Sequence, residues 1–578
     1  MTKSFQFFCS SLAIAGALGV ALIDGGAPST AAELAADAGA ARTLPKSASA
    51  TVGANDIIAF INEQIRAGWK EGGVGPSAKA TDAEWCRRVY LDLIGRLPTV
   101  DELDAYLKSG GPDKRERLVS LLTGEATSAK DQAAADKYLE EYARNFSTKF
   151  SILFVGRPPA QRQNRELVNR NGMQAYLRGS FLRNKPWDKI VEEIVSAQGT
   201  TSPGSPEFNG ATNFLVNKLA ENATEATAKT AKYFLGIQVQ CTQCHNHPFN
   251  DWKQDQFWGL NAFFRQTKSI ENRSGQNVEY VTLGNEDFRG EGSNPKEAEI
   301  YYELRNGELR VAYPTFVDGT KINSSGYVNE VDRRTELAKL IVKHENFGKA
   351  FVNRMWGHFL GYGFTKPVDD MGPHNPVSHP ELLDRVGQEF AARGHNVREL
   401  IKWITLSEAY SLSSRTTPAN KKDDPSLGEK PLFTHFYIRQ MQAEELYESL
   451  LAATRAAEGD PDEQAAKKSM WLQQFTVTFG NDEGDEATTF NGTIPQVLML
   501  MNGDLTNTAL TSNFMKQLAA QGGSLKDKVD YLYLATLSRR PTSMEAQLAM
   551  AARGADQGAI LQDVFWALLN SNEFIFNH

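Results

Sequence analysis

The stretch TDAEWCRRVYLDLIGRLPTVDELDAYLKSGGPDKRERLVSLL, residues 81–122, decides the fold class. Thr81-Asp82-Ala83-Glu84 is a capping box, in which a hydroxyl and a carboxylate three residues on each take a backbone N–H that the first helical turn leaves unpaired. It predicts a helix through Ile94. Pro98 stops that turn, and Thr99-Val100-Asp101-Glu102 is a second capping box, predicting a helix to Lys108. Pro112 opens a third, through Leu122. Short capped helices at this spacing point to an α-helical bundle.

The pattern extends both ways from there. Upstream, Asn55 can cap a helix in which Ile57, Ile61, Ile65 and Trp69 recur every four residues, ended by the glycines of 72–75. Downstream, Tyr138, Tyr142, Phe146, Phe150 and Leu153 mark a core-facing helix over 133–156. Further helices are expected over 164–183, 186–198 with Pro186 in its first turn, and about 225–239, with a Pro/Gly/Ser loop at Thr200 to Gly210. Residues 266–325 change character. Asn306-Gly307 between Glu299–Arg305 and Glu308–Tyr313 predicts a hairpin with a type I′ turn. Helices return at 334–344, 349–360, 380–392 behind a capping box at Ser378-His379-Pro380-Glu381, and 397–410. Thr416–Lys430 reads as a polar linker, and helices near 440–455, 494–501, 524–537, 543–552 and 558–570 follow. The expected architecture is mainly α: two helical domains, 51–265 and 326–578, with a small β-hairpin insert at 266–325.

At 578 residues the chain is too long for one core. It is 41% hydrophobic and 23% charged, ordinary for a globular protein, and with net charge −8 and no basic stripe it gives nucleic acid binding no support. Residues 1–31 read as a secretory signal: Lys3, an apolar run from Phe5 to Ile23, then small residues at Ser29-Thr30-Ala31. Residues 32–50, rich in Ala, Gly and Ser, read as a flexible linker. No other segment is apolar enough to span a bilayer, so the mature chain is expected outside the cytoplasm, periplasmic or in the cell envelope, without a transmembrane span. Cleavage leaves Cys86, Cys241 and Cys244, an odd number for an oxidising compartment. Cys86, between Trp85 and Arg87, reads as a buried small hydrophobe.

The chemistry is concentrated at Cys241–Trp252, CTQCHNHPFNDW. Cys241-Thr242-Gln243-Cys244-His245 has the spacing at which c-type haem is attached: two thiols on one turn reach the two vinyl groups, and the next residue offers its imidazole to the iron. The same residues also suit a simple disulfide, or half a zinc site with His245 or His247. Phe249, Trp252, Phe257, Trp258, Phe263 and Phe264 follow, either as core or as the apolar wall of a porphyrin; Asp251 and Asp255 read as solvated carboxylates. A second constellation, Asp369 and Asp370 with His374 and His379, has the residue types to hold a divalent cation and activate water, beside a plainer reading as loop and helix cap. His358, following Trp356 on the 349–360 helix, is the expected sixth ligand of a haem iron on His245, ahead of Met355 or His379; its plain reading is a core histidine. The candidate haem residues are thus Cys241, Cys244, His245 and His358, and the candidate metal residues His245, His247, Asp369, Asp370 and His379.

Long motifs give the chain a resemblance. RVYLDLIGRLPT at 88–99, FLGIQVQCTQCHNHPFNDWKQDQFWGLNAFF at 234–264, VNRMWGHFLGYGF at 352–364, PVDDMG at 367–372, SHPELLD at 378–384 and LLNSNEFIFNH at 568–578 are similar to the paired families of unknown function numbered 1549 and 1553, of planctomycete-type bacteria, often named for an association with cytochrome domains. The resemblance covers nearly the whole mature chain and implies a C-x-x-C-H family suspected of haem binding. Three functions are expected from residues and resemblance together. The first is an exported protein with one c-type haem, acting in electron transfer with a redox partner. The second is a cell-envelope scaffold whose cysteine/histidine knot holds zinc, another divalent metal or a disulfide. The third is a metal-dependent hydrolase using Asp369, Asp370 and His379.

Overall fold

The computed structural model describes residues 53–126, 128, 129, 131–157, 166–455, 470–475, 499, 501, 503–551 and 556–578. The expected signal and linker, and most of the helix expected at 494–501, lie outside them. The capped stretch that sets the fold class forms helices α2 (Asp82–Ile94), α3 (Val100–Lys108) and α4 (Lys114–Leu122), after α1 (Ala54–Gly72). The second capping box is closed in both directions: Glu102 N–H donates to the Thr99 hydroxyl at 3.3 Å and Thr99 N–H to the Glu102 carboxylate at 2.8 Å. At the first, Thr81 caps Glu84 N–H at 3.1 Å, but Glu84 turns instead to Arg88 and to Ser414 N–H. α1 starts two residues earlier than a cap at Asn55 allows, because Asp56 reaches back to Gly53 N–H at 2.9 Å. Its predicted stripe, Ile57, Ile61, Ile65 and Trp69, is buried.

The fold is mainly α, as the pattern predicts. The first half continues through α5 (Gln132–Val155), α6 (Arg170–Leu182), α7 (Trp187–Val195), α8 (Ala220–Leu235) and α9 (Gln254–Asn261). The second holds α10 (Arg333–Lys343), α11 (Glu345–Leu360), α12 (Pro380–Ala392), α13 (Val397–Thr405) and α14 (Ala443–Thr454). It ends with α15 (Asp504–Leu510), α16 (Asn513–Ala520), α17 (Leu525–Leu537), α18 (Ser543–Met550), α19 (Gln557–Leu569) and α20 (Asn572–Ile575). α12 has no capping box; Ser378 bonds the His379 ring at 3.1 Å, and His379 precedes the helix with no side-chain cap.

The β content is small. β4 (Ile300–Glu303) and β5 (Leu309–Ala312) form the expected hairpin, but the turn differs. Gly307 N–H donates to Leu304 O at 2.9 Å and Leu304 N–H to Glu308 O at 2.9 Å, and Gly307 but not Asn306 has positive φ. That is a turn closed by a glycine bulge, one residue longer than a type I′ connection. β2 (Thr267–Ser274) and β3 (Asn277–Asn285) form another hairpin, joined at the β3 edge by β1 (Gly199–Thr200) from the loop after α7. Most of the β2 side chains are exposed and polar, which hid this strand from hydrophobic patterning.

The main hydrophobic cluster draws on both sides of the β insert: Trp85, Phe146, Phe181 and Phe234 pack with Trp356, Phe390, Trp403 and Phe433. A second cluster, built from α14, α16, α17 and α19, receives Leu91 and Leu97 from the first. The segment read as a polar linker is packed in. Asn420 and Asp423 are buried, and the Asp423 carboxylate accepts from Leu432 N–H, Thr434 N–H and the Tyr437 hydroxyl at 2.9, 2.8 and 2.6 Å.

The charged residues of α2 are also internal, and they receive the end of the chain. Arg87 donates to Thr536 O and Phe574 O at 2.8 and 3.0 Å, and Arg88 to Leu412 O at 3.0 Å and to Tyr410 O. β6 (Arg439–Gln440) pairs antiparallel with β7 (Phe576–Asn577). Between them the buried Asp92 carboxylate meets the Arg439 guanidinium, the Tyr410 hydroxyl at 2.6 Å and the Asn577 amide at 2.8 Å. Burial alone would lower the Arg439 pKa; Asp92 and Glu445 beside it carry it above its ordinary value.

Candidate functional site

The cysteine turn is positioned by the end of α8. Gly236 stops that helix in the left-handed region, φ 64°, and a Cβ there would lie 2.7 Å from the Met371 methyl. The absence of a side chain lets Met371 N–H donate to Gly236 O at 2.8 Å, so the helix end holds the 367–372 loop of the second half against the approach to the cysteines. Gly236→Ala is expected to cost about 1–2 kcal/mol from the backbone alone, seen as a lowered melting temperature; an unchanged melting curve would show that the loops are not held here.

Beyond Val239 the chain makes one 3-10 turn, Gln240–Gln243. Buried Thr242 pins it by donating its hydroxyl to Val239 O at 2.6 Å. Trp258 Nε1–H and Gln254 Nε2–H hold Gln243 O at 3.1 and 3.2 Å. Anchored from inside, the turn leaves Cys241 and Cys244 exposed and unpaired with each other. His247 N–H then donates to Trp252 O at 2.7 Å, closing a small loop with Phe249, 75% exposed, at its tip. The His245 ring places Nδ1 2.6 Å from Asn246 O. A carbonyl can only accept, so a proton sits on Nδ1, and Nε2 has no hydrogen-bond partner among the described residues.

The loop after α11 lies against this turn. Asp370 Oδ2 is 2.9 Å from His374 Nε2, and Asp370 Oδ1 takes Gly372 N–H at 3.2 Å. The His374 ring faces His247 with centroids 5.3 Å apart, and Asn250 Nδ2 is 3.5 Å from His374 Nδ1. A side chain at Gly372 would meet the His374 ring at 2.7 Å, so only glycine lets that ring fold back. Desolvation and the neighbouring His374 ring hold His247 below its ordinary pKa. The juxtaposition unites the two constellations that the sequence presents apart.

Other expected site residues lie elsewhere. His358 is half-buried: Nε2 is 3.3 Å from Asp92 O and the ring packs edge-on to Phe146 and Phe359. Its side chain is engaged with α2 and α5, so it is a core histidine and not a ligand held out to the cysteine turn. His379 packs against Phe364 and Phe433, with Nε2 buried and unpartnered, away from the Asp369–Asp370 pair it was expected to complete. Asp369 is neutralised by Lys232 at 3.3 Å and Arg354 at 3.6 Å and bonded by Gln238 at 3.2 Å. Such a carboxylate is an ion-pair member, not a free cation ligand. Met355 is core. Phe257, Phe263 and Phe264 are fully buried, and Trp258 stacks on Tyr302, so these rings serve the core and line no porphyrin slot. Asp251 and Asp255 are exposed. Among the described residues no three His, Cys, Asp or Glu side chains converge as a ready metal cage, and no helix is long and apolar enough to cross a membrane.

Comparison with known families assigns both loops. Residues 60–269 match the family described as PSCyt2, protein of unknown function (DUF1549), and residues 333–552 match PSD1, protein of unknown function (DUF1553). No curated protein and no solved structure matches the chain.

Proposed function

Because the chain belongs to the tandem DUF1549–DUF1553 family, whose descriptions assign no role, we propose from the site alone that it is an exported redox protein carrying one c-type haem at Cys241, Cys244 and His245. The observation that carries this reading is the pair of exposed, unpaired thiols on one turn beside a histidine whose Nε2 is free. The attachment atoms fit: Cys241 and Cys244 would hold the porphyrin through thioethers, and His245 would offer Nε2 with its Nδ1 proton held by Asn246 O. Much of the expected aromatic wall does not fit, since Phe257, Phe263 and Phe264 are in the core. Bound haem supplies one-electron transfer. The protein's part is to present the two thiols and fix the tautomer and orientation of His245. Thr242, Gln254 and Trp258 hold the turn that does so.

Protein made where cytochrome c maturation operates should keep haem through a denaturing gel. Cys241→Ser and Cys244→Ser should each lose the double attachment, and exposure of the turn to water predicts a low reduction potential. Thiols that stay unmodified, or a Cys241–Cys244 disulfide in the mass spectrum, would overturn this reading.

A further inference from the structure

We propose that His247 and His374, one from each family segment, form a site for a single divalent transition-metal ion of the zinc class, with Asp370 as the carboxylate that positions His374. The site uses neither thiol and does not depend on the haem reading.

The geometry comes first. Two imidazoles bound to one tetrahedral ion through metal–nitrogen bonds of about 2.0–2.1 Å have ring centroids about 5 Å apart. The His247 and His374 centroids are 5.3 Å apart, with the rings inclined by 36°. The protonation pattern of His374 follows. Asp370 Oδ2 at 2.9 Å from Nε2 places a proton there and leaves Nδ1 as the nitrogen to face a metal, the carboxylate–histidine arrangement that orients metal-bound imidazoles. Asn250 Nδ2, 3.5 Å from that Nδ1, is too far to hold it. His247 Nδ1 accepts Phe249 N–H at 3.2 Å. Coordination through His247 Nε2 moves the ring proton to Nδ1 and gives up that bond, whose N–H then turns to water on an exposed loop.

Desolvation and His374 hold His247 below its ordinary pKa. The titratable groups facing it are Asp370, His245 and His374; Asp369, next to Asp370, is tied to Lys232 and Arg354. Two protein ligands leave the remaining positions to water or an oxygen-donor ligand.

The test is titration of the full chain with Co²⁺, followed by visible spectroscopy, with Zn²⁺ competition. One equivalent should bind and give ligand-field bands without a thiolate charge-transfer band. His247→Gln and His374→Gln should each abolish binding. Asp370→Asn should weaken it about 10–100-fold. Cys241→Ser with Cys244→Ser should leave it unchanged. An unaltered melting curve for each variant separates lost binding from lost folding; a variant that melts early is replaced by His374→Ala or His247→Ala. Failure to bind a stoichiometric ion, survival of binding in His374→Gln, or a thiolate band lost with the cysteines would overturn the proposal. Absence of haem on the same protein would sink only the haem reading.

Discussion

Asp92→Ala is expected to cost roughly 3–5 kcal/mol, the penalty of leaving one partner of a buried ion pair without the other. Asp92 is fully buried and accepts from Arg439, Tyr410 and Asn577. Its removal leaves a guanidinium that is itself 3% exposed with Glu445 alone, at 3.6 Å, and takes the acceptor from a buried hydroxyl and from the end of the chain. The loss reaches both hydrophobic clusters, because α2 supplies Val89 and Leu93 to one and Leu91 to the other. Asp92→Asn keeps the shape and one acceptor, and should cost less. Urea midpoints for the three proteins decide the matter. A cost under about 1 kcal/mol for Asp92→Ala would mean that the carboxylate is dispensable and that the motif around it is present for another reason.

The second large effect is on acid stability. His379 has a buried, unpartnered Nε2, and burial lowers its pKa to about 4. In the unfolded chain the ring takes a proton near its ordinary pKa of 6.5. Between these values the unfolded chain binds more protons, so stability falls as pH falls from about 6.5 to 4, by about 3 kcal/mol for this residue alone. Burial pushes His358 the same way. The paired carboxylates act in a lower window. Burial opposes them, but Arg96 holds Glu102, and Lys149 and Arg439 hold Glu445, at about 2, so their contribution is lost only between about 4.5 and 2. His379→Phe removes the titrating ring and the orphaned nitrogen, and should make the upper window shallower by the share of this residue while leaving the lower one intact. Equal slopes in wild type and variant between pH 6.5 and 4 would show that His379 does not drive the loss.

Most of the helical architecture was legible because its signals are local. Thr99 and Glu102 close a capping box within three residues, and Ile57, Ile61, Ile65 and Trp69 repeat with the helix's own period. The cysteine turn was equally legible, since its chemistry lies in adjacent residues. The less legible features depend on distant parts of the chain. β2 carries mostly exposed polar side chains and becomes a strand by pairing with β3, so periodicity had nothing to detect. Thr416–Lys430 looks like a linker until Thr434 and Tyr437 bring donors to Asp423.

The candidate site divides in the same way. By itself the sequence determined which residues carry thiol and imidazole chemistry, that both thiols share one turn, and that the chain around them is helical, because spacing along a backbone of known geometry settles those matters. Only the tertiary structure decided which histidine meets the cysteine loop. The sequence pointed to His358 and then His379 ahead of His374, since nothing in a side chain's identity says whether its ring will pack against Phe146 or Phe433 in the core or be held by Asp370 at the surface. That choice depends on Gly236 and Met371 joining two loops 135 residues apart by a 2.8 Å backbone hydrogen bond, and contacts at such separation are set by how the helices pack rather than by any local pattern.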